Sequence, residues 1–264
     1  YDIGKNAIQD LAFEDAVAAV YTDENGQTVT ILLKDTVETQ TIPVTTNQII
    51  SLGGNRLTFK GVNTGFHVKP LGAEPVEVIF DGRLNGSYAS IENSRSALVY
   101  ADRNSTTGIG SNIIVRRGTW ESHATTGTQT RTFYIHQDST LSIKEANIES
   151  YVDTTNMSSA YGIYANLNSS ILVDTCSIHA DAPYGANILE EEYTGSSSGI
   201  MNWGTALIKN CQIIGTHSAI QTGGTFYLEG GKYESIGHGG IYFVKETPTT
   251  GINYIRDALL TQSK

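Results

Sequence analysis

Between Ser139 and Phe243 one short phrase is written four times, and that repetition limits the fold more than any other feature of the chain. The copies are Leu141-Ser-Ile-Lys-Glu-Ala146-Asn-Ile148, Ile171-Leu-Val-Asp-Thr-Cys176-Ser-Ile178, Ala206-Leu-Ile-Lys-Asn-Cys211-Gln-Ile213 and Phe226-Tyr-Leu-Glu-Gly-Gly231-Lys-Tyr233. Each sets two apolar residues two apart, then a small residue, then another apolar one. A second signal follows each copy, at Ile163, Ile200, Ile220 and Ile241. Measured at Ala146, Cys176, Cys211 and Gly231, the repeat lengths are 30, 35 and 20 residues. A β-type unit of this size cannot bury its apolar face alone, and stacking on its neighbours does so. The expected fold is all-β: a right-handed parallel β-helix forming one domain over 1–264. Within it, a capping helix is expected at 7–21, coils over 27–245, and a C-terminal cover or edge at 246–264.

Composition fits many short strands joined by turns. Only 17% of residues are charged, with 27 Gly and 14 Tyr. The net charge of −10 opposes binding to duplex nucleic acid, and no Lys/Arg cluster stands out in the sequence. No run of 18 apolar residues occurs, so no membrane insertion is expected. Cys176 and Cys211 share one repeat position, which puts them on adjacent coils about 4.8 Å apart. Two buried thiols in a ladder of small residues are expected there, with a disulfide or a metal site as the alternative.

Asn6 with Gln9 reads as a capping-box pair. It precedes an apolar helical face of Ile8, Ala12, Phe13, Ala16, Val17, Ala19 and Val20. An open solenoid end exposes apolar cross-section and unpaired edges, so a helix covering it is physically reasonable. Asp23-Glu-Asn-Gly26 makes a turn, and strand-like runs follow at 28–33, 39–44 and 48–52. A further copy of the repeat falls at Ile113, Val115, Gly118 and Trp120, with Ile135 as its second-strand residue. This opening, from the helix through TVTILLKD to TQTIPVTTNQIISLGGNRLTFKG, resembles the start of pectate-lyase-like β-helix modules of bacterial surface (adhesin-like) proteins and of phage tail or spike proteins. There a short helix leads into a first coil closed by a phrase like LNGxTLTG. The resemblance covers roughly residues 7–61 and implies architecture, together with an extracellular, cell-surface or virion-surface setting. It implies no particular activity.

Strand alternation sends Arg116, Lys144, Asp174, Lys209 and Glu229 outward as a charge ladder. Two residues earlier, Ile114, Ser142, Leu172, Leu207 and Tyr227 form an outward, largely apolar stripe, expected to lie under loops or against a partner such as two further copies in a homotrimer. The spacing between anchor positions places insertions at 121–132, 151–160 and 182–198, stacked on one corner. Tyr151, Tyr161, Tyr184 and Tyr193 belong to that corner and suit sugar stacking or protein contact. Glu190-Glu191-Glu192 reads as solvated charge, calcium being the one cofactor such a run could hold.

Catalytic signatures are sparse. The polygalacturonase family uses Asn-Thr-Asp, Asp-Asp, Gly-His-Gly and Arg-x-Lys on neighbouring coils. Here only Gly237-His238-Gly239 occurs. His217 and His238 each stand three residues before a coil isoleucine and are the candidate catalytic pair, with a turn ladder as the plainer explanation. The leading expectation is a non-catalytic module for adhesion or for glycan or protein binding, with Tyr184, Tyr193, Trp203, His238 and Tyr242 as contact residues, no metal and no cofactor. The alternatives are a polysaccharide lyase or glycoside hydrolase on the same fold, and a structural phage tail component.

Overall fold

The structure is a computed structural model, and it describes residues 18–93, 96–125, 129–153, 159–182, 197–237, 240–244 and 253–262. From Thr28 onward, successive strands fall in strict rotation on three sheets, here A, B and C, with ten, nine and eight strands. One turn of the chain visits each sheet once and returns one strand higher, which is the winding of a right-handed parallel β-helix.

The repeat sets the register. Leu141, Ile171, Ala206 and Phe226 are directly paired neighbours on sheet A. Ile148, Ile178, Ile213 and Tyr233 are neighbours on sheet B, and Ile163, Ile200, Ile220 and Ile241 on sheet C. All but Ile241 are buried. Between sheets A and B the chain turns through residues of positive φ: Glu145, Thr175, Asn210 and Asp257 singly, and the pairs Arg117-Gly118 and Gly230-Gly231 at the equivalent place. The following Ala146, Cys176 and Cys211 are small because they pack inside that corner. Both cysteines are free and buried, with the Cys176 amide donating to Cys211 Sγ at 3.4 Å. The side-chain hydrogen bond with the Cys176 thiol, then burial, push the Cys211 thiol above its usual range, outweighing that amide.

Toward the N-terminus the core changes character. Phe59, Phe66, Phe80, Trp120 and Phe133 stack in sequence, with ring centroids 4.9–5.9 Å apart. Phe133 is the register partner of Ile163, whereas Ile135 pairs with Ala165, so the expected anchor at Ile135 stands two residues late. The cause is a strand that starts early, at Gln129.

Two further expectations change. Residues 18–21, placed in the capping helix, belong to strand Ala18–Thr22, which pairs antiparallel with Thr28–Leu32. The turn decides this: the Asp23 carboxylate accepts from the Asn25 and Gln27 amides, and Gly26 supplies a φ of 78°. A hairpin partner also satisfies the backbone edge of the first coil, which a helix cannot do. Residues 7–17 lie outside the described residues. At the other end, Tyr254–Arg256 and Leu259–Gln262 add a tenth strand to sheet A and a ninth to sheet B, forming an edge.

Where sheets B and C converge, side chains must be small. A Cβ on Gly199 would lie 2.2 Å from Ile213 Cγ2, and one on Gly162 would lie 2.5 Å from Ile178 Cγ2. Gly199→Ala is therefore expected to cost about 1–3 kcal/mol by overpacking. Combined with Ile213→Ala, it should cost less than the sum of the single changes, a coupling read from urea midpoints.

Candidate functional site: the outer face of sheet C

Of the corner expected to carry loops, 126–128, 154–158 and 183–196 lie outside the described residues, and most of the described remainder is strand. Thr119–Ala124, Gln129–Ile135, Asn147–Val152 and Ser159–Ala165 run well into it. Ala124, Val152, Ala160 and Ala182 close a small second core there, and the hydroxyls of Ser122, Thr132 and Ser150 bond across it. Small inward residues let sheets B and C approach and continue side by side. Tyr161 is buried in this extension, and Tyr151 donates to Glu149 Oε2 at 2.7 Å. Tyr184, Tyr193, His238 and Glu190 to Glu192 lie outside the described residues.

Sheet C itself carries an unbroken outward row. His67, Tyr100, Tyr134 and Tyr164 are register neighbours, followed by Met201, Gln221 and Tyr242. His67 stacks on Tyr100 at 5.1 Å and 7°, and Tyr100 on Tyr134 at 4.9 Å and 14°. Tyr164 breaks the stack, meeting Tyr134 edge-on at 83°. The guanidinium of Arg131 sits 4.8 Å from the centroids of both Tyr134 and Tyr164. Its Nη2 donates to Gln129 Oε1, while its buried Nε has no partner among the described residues.

One residue past these strands runs a second row: Asp102, His136, Asn166 and Trp203, joined by backbone bonds that continue the ladder. Asp102 gathers the upstream end, with His67 Nε2 3.0 Å from Oδ2, the Tyr100 hydroxyl donating to Oδ1 at 3.4 Å, and Lys69 Nζ at 4.0 Å. Burial, then the Asp102 charge, pushes the Tyr100 phenol above its usual range, and burial lowers His136. Asn166 donates to the Tyr134 hydroxyl at 3.5 Å, and the Trp203 side chain hydrogen-bonds Tyr164. Trp203 therefore joins this face. Farther along, His217 is buried and meets the Tyr242 ring edge-on at 5.1 Å.

Rings stacked on one another spend their faces on each other. What Tyr100 and Tyr134 offer outward is edges and hydroxyls, while the break at Tyr164 and the Arg131 fork supply donors on a half-buried cation. The sequence does carry this row, as Tyr100-Ala-Asp102, Tyr134-Ile-His136 and Tyr164-Ala-Asn166. Anchoring the coil at Ile135 hid it by shifting the register two residues.

Two other faces carry charge. On sheet B, Glu121 and Glu149 are register neighbours. Glu121 accepts from the Tyr88 hydroxyl at 2.7 Å, and Arg56 lies over the Tyr88 ring at 4.5 Å. Asp35, Arg56, Thr58, Tyr88, Glu121 and His123 line an open groove of ≈ 320 Å³. Burial, then the hydrogen bond and charge of Glu121, push the Tyr88 phenol from 10.0 up to about 12. A raised folded-state value means stability present below pH 10 that is lost as pH rises toward 12. Tyr88→Phe is expected to reduce the alkaline loss of stability between those limits, measured by urea unfolding at pH 9 and about pH 11.5.

The outward ladder on sheet A runs Asp81, Arg116, Lys144, Asp174, Lys209, Glu229 and Arg256, extending the expected one at both ends. Coiling gathers Arg83, Arg116, Arg117 and Lys144 around Glu145, a basic cluster that is scattered in the sequence. Burial of Asp81 opposes its charge, but the Arg83 bonds and nearby Arg116 outweigh this and hold its carboxyl below the usual range. Beside this ladder, Leu172 and Tyr227 of the apolar stripe stay 38% and 41% exposed. Among the described residues no group of three or more His, Cys, Asp or Glu could hold a metal ion, and no helix is long and apolar enough to cross a membrane. Comparison of the chain with known protein families, with curated proteins and with solved structures finds no match.

Proposed function

We propose that this β-helix is a non-catalytic binding module of the surface-protein or tail-spike kind, and that the outer face of sheet C holds a glycan. The observation that carries this reading is the Arg131 cradle: a cation between Tyr134 and Tyr164 whose Nε has no partner among the described residues. Around it, the hydroxyls of Tyr100, Tyr134 and Tyr164 and the polar row of Asp102, His136, Asn166 and Trp203 repeat at the coil spacing of about 4.8 Å. A chain molecule rich in hydroxyls could therefore lie along the solenoid axis and meet similar donors and acceptors on successive coils. Surface attachment, at a cell or a virion, belongs to the same reading. A glycan array, followed by crystals soaked with the best oligosaccharide, tests it. Density over Tyr134 and Tyr164 is the expected result. A blank array together with unshifted tyrosine NMR signals would sink the proposal.

A hydrolase is the second reading, and the pairing of Glu121 with Glu149 favours it over a centre at His217. Carboxylates on adjacent strands have the right order of separation for glycosidic chemistry, whereas His217 is buried against Tyr242. Release of reducing ends from the bound oligosaccharide would replace the first reading with this one.

A further inference from the structure

From Asp81 to Arg256 the outward ladder on sheet A alternates in sign at every step but one. At that step Arg116 and Lys144 are register neighbours, two cations on adjacent coils about 4.8 Å apart. Like charges set directly across a strand pair destabilise it. Two more cations are brought to the same place by the backbone. The Gly82 amide donates to the Arg116 carbonyl at 2.8 Å, and a Cβ on Gly82 would lie 2.8 Å from both the Arg117 oxygen and Gly118 Cα. That close approach of two turns holds Arg83 and Arg117 beside the ladder. The four cations and Glu145 line an open basin of ≈ 390 Å³, with Arg116 half-buried and the other three cations exposed. Carboxylates fix the two turn arginines in place. Asp81 accepts from Nε and Nη2 of Arg83 at 2.9 and 2.7 Å, and Glu145 Oε2 lies 2.6 Å from both Nε and Nη2 of Arg117. Each guanidinium is gripped along one edge and keeps Nη1 for another acceptor. The Arg117 carbonyl is held in turn by Trp120 Nε1, so this fork stands on the aromatic core.

We propose that this corner is an anion site for a tetrahedral ester oxyanion, the sulfate or phosphate group of a charged glycan. A carboxylate offers two oxygens, which one guanidinium edge satisfies, as Asp81 and Glu145 already do here. An ester sulfate or phosphate offers three oxygens in a pyramid, and cations arriving from three successive coils match that shape. The bound anion also screens Arg116 from Lys144, so a contact that costs stability in the free protein turns favourable in the complex. The basin is open and most of its cations are exposed, which suits a group projecting from a long molecule. The chain as a whole carries a net charge of −10, so a polyanion meets attraction at this corner and repulsion over much of the remaining surface. That contrast gives a charged glycan one point of attachment and opposes the broad contact that duplex nucleic acid needs. The site lies on the corner between sheets A and B and is separate from the sheet C face.

Titration calorimetry of the 264-residue protein with dextran sulfate should show binding well beyond that of uncharged dextran, and weaker as sodium chloride is raised. Arg116→Gln with Lys144→Gln should weaken it about tenfold or more, the scale of one hydrogen bond to a charged group. Both positions have an opposite charge on their other side, Asp81 and Asp174, so the thermal midpoint of this variant without ligand should match that of the parent. Lys209→Gln with Lys232→Gln removes the same charge elsewhere on the solenoid and should leave the affinity nearly unchanged. Inorganic sulfate and inorganic phosphate as competitors separate the two sources. Displacement by one alone assigns that ester, and displacement by both supports the shared oxyanion chemistry. No binding of dextran sulfate, or equal losses in the two double variants, would overturn the proposal. So would polygalacturonate of matched charge density, or duplex DNA, binding as tightly as dextran sulfate. Loss on Arg131→Ala with the Arg116 and Lys144 variant unaffected would place the polyanion on sheet C, ending this proposal while leaving the sheet C reading intact. A blank glycan array with dextran sulfate still lost in that double variant would do the reverse.

Discussion

Trp120→Ala is expected to destabilise the protein by about 3–5 kcal/mol, the range for emptying a large aromatic site in a well-packed core. Trp120 is fully buried between Phe80 and Phe133, and its indole Nε1 donates to the Arg117 carbonyl at 2.8 Å. That bond steadies the corner where Arg117 adopts a φ of 58°. Neighbouring rings cannot collapse into the space, because each is held by strand pairing on both sides. Trp120→Phe keeps most of the volume and loses the N–H, so it should cost far less, about 1–2 kcal/mol. Urea unfolding followed by far-UV circular dichroism checks both. The alanine variant should shift the midpoint most and broaden the transition, because in a solenoid each coil is coupled only to its neighbours. An alanine variant as stable as the phenylalanine one would mean that the aromatic stack is not a continuous core.

This stack also marks where the sequence stops being readable. From Leu141 onward every coil places an aliphatic or aromatic residue at matching positions, so equal spacing translates directly into register. Before Ile113 the inward rungs range from Ala89 and Val99 to Phe59, Phe66 and Phe80, so their bulk varies from coil to coil and their spacing follows turns of different length. Alternation alone cannot align such rungs. Residues 18–21 differ for a related reason. Ala18, Ala19 and Val20 satisfy a helical period as well as a strand, and only the hairpin turn at Asp23 to Gly26 separates the two.

The candidate site was half legible. Trp203 and Tyr242 lie on the sheet C face, but Arg131, Tyr134 and Tyr164 were hidden by a strand that begins six residues before its anchor at Ile135. The described part of the corner read as stacked loops continues the strands, and length counts cannot distinguish the two. What does distinguish them is the alternation Ser122, Ala124 and Ser150, Val152, with small inward residues between outward polar ones. Outward charge was easier, because the ladder from Asp81 to Arg256 keeps one position relative to the turn on every coil.

If sheet C is the ligand face, Arg131→Ala should weaken glycan binding on the order of thirtyfold, the scale of a central hot-spot residue. The guanidinium is already desolvated by Tyr134 and Tyr164, so the free protein has met part of the cost of placing it there. Arg131→Lys should restore little, because an ammonium keeps the charge but loses the planar fork that two tyrosine rings and an acceptor can share. Tyr134→Phe removes only the hydroxyl, leaving the stack with Tyr100 and the cradle for Arg131, and should cost about threefold to tenfold, the value of one hydrogen bond. Titration calorimetry with the array's best oligosaccharide separates these cases, with thermal unfolding as the control for folding. A graded series, alanine and lysine far below phenylalanine, would place the arginine fork at the centre of recognition. Equal affinities across the three variants would move the ligand off sheet C and make the groove at Tyr88 and Glu121 on sheet B the next face to test.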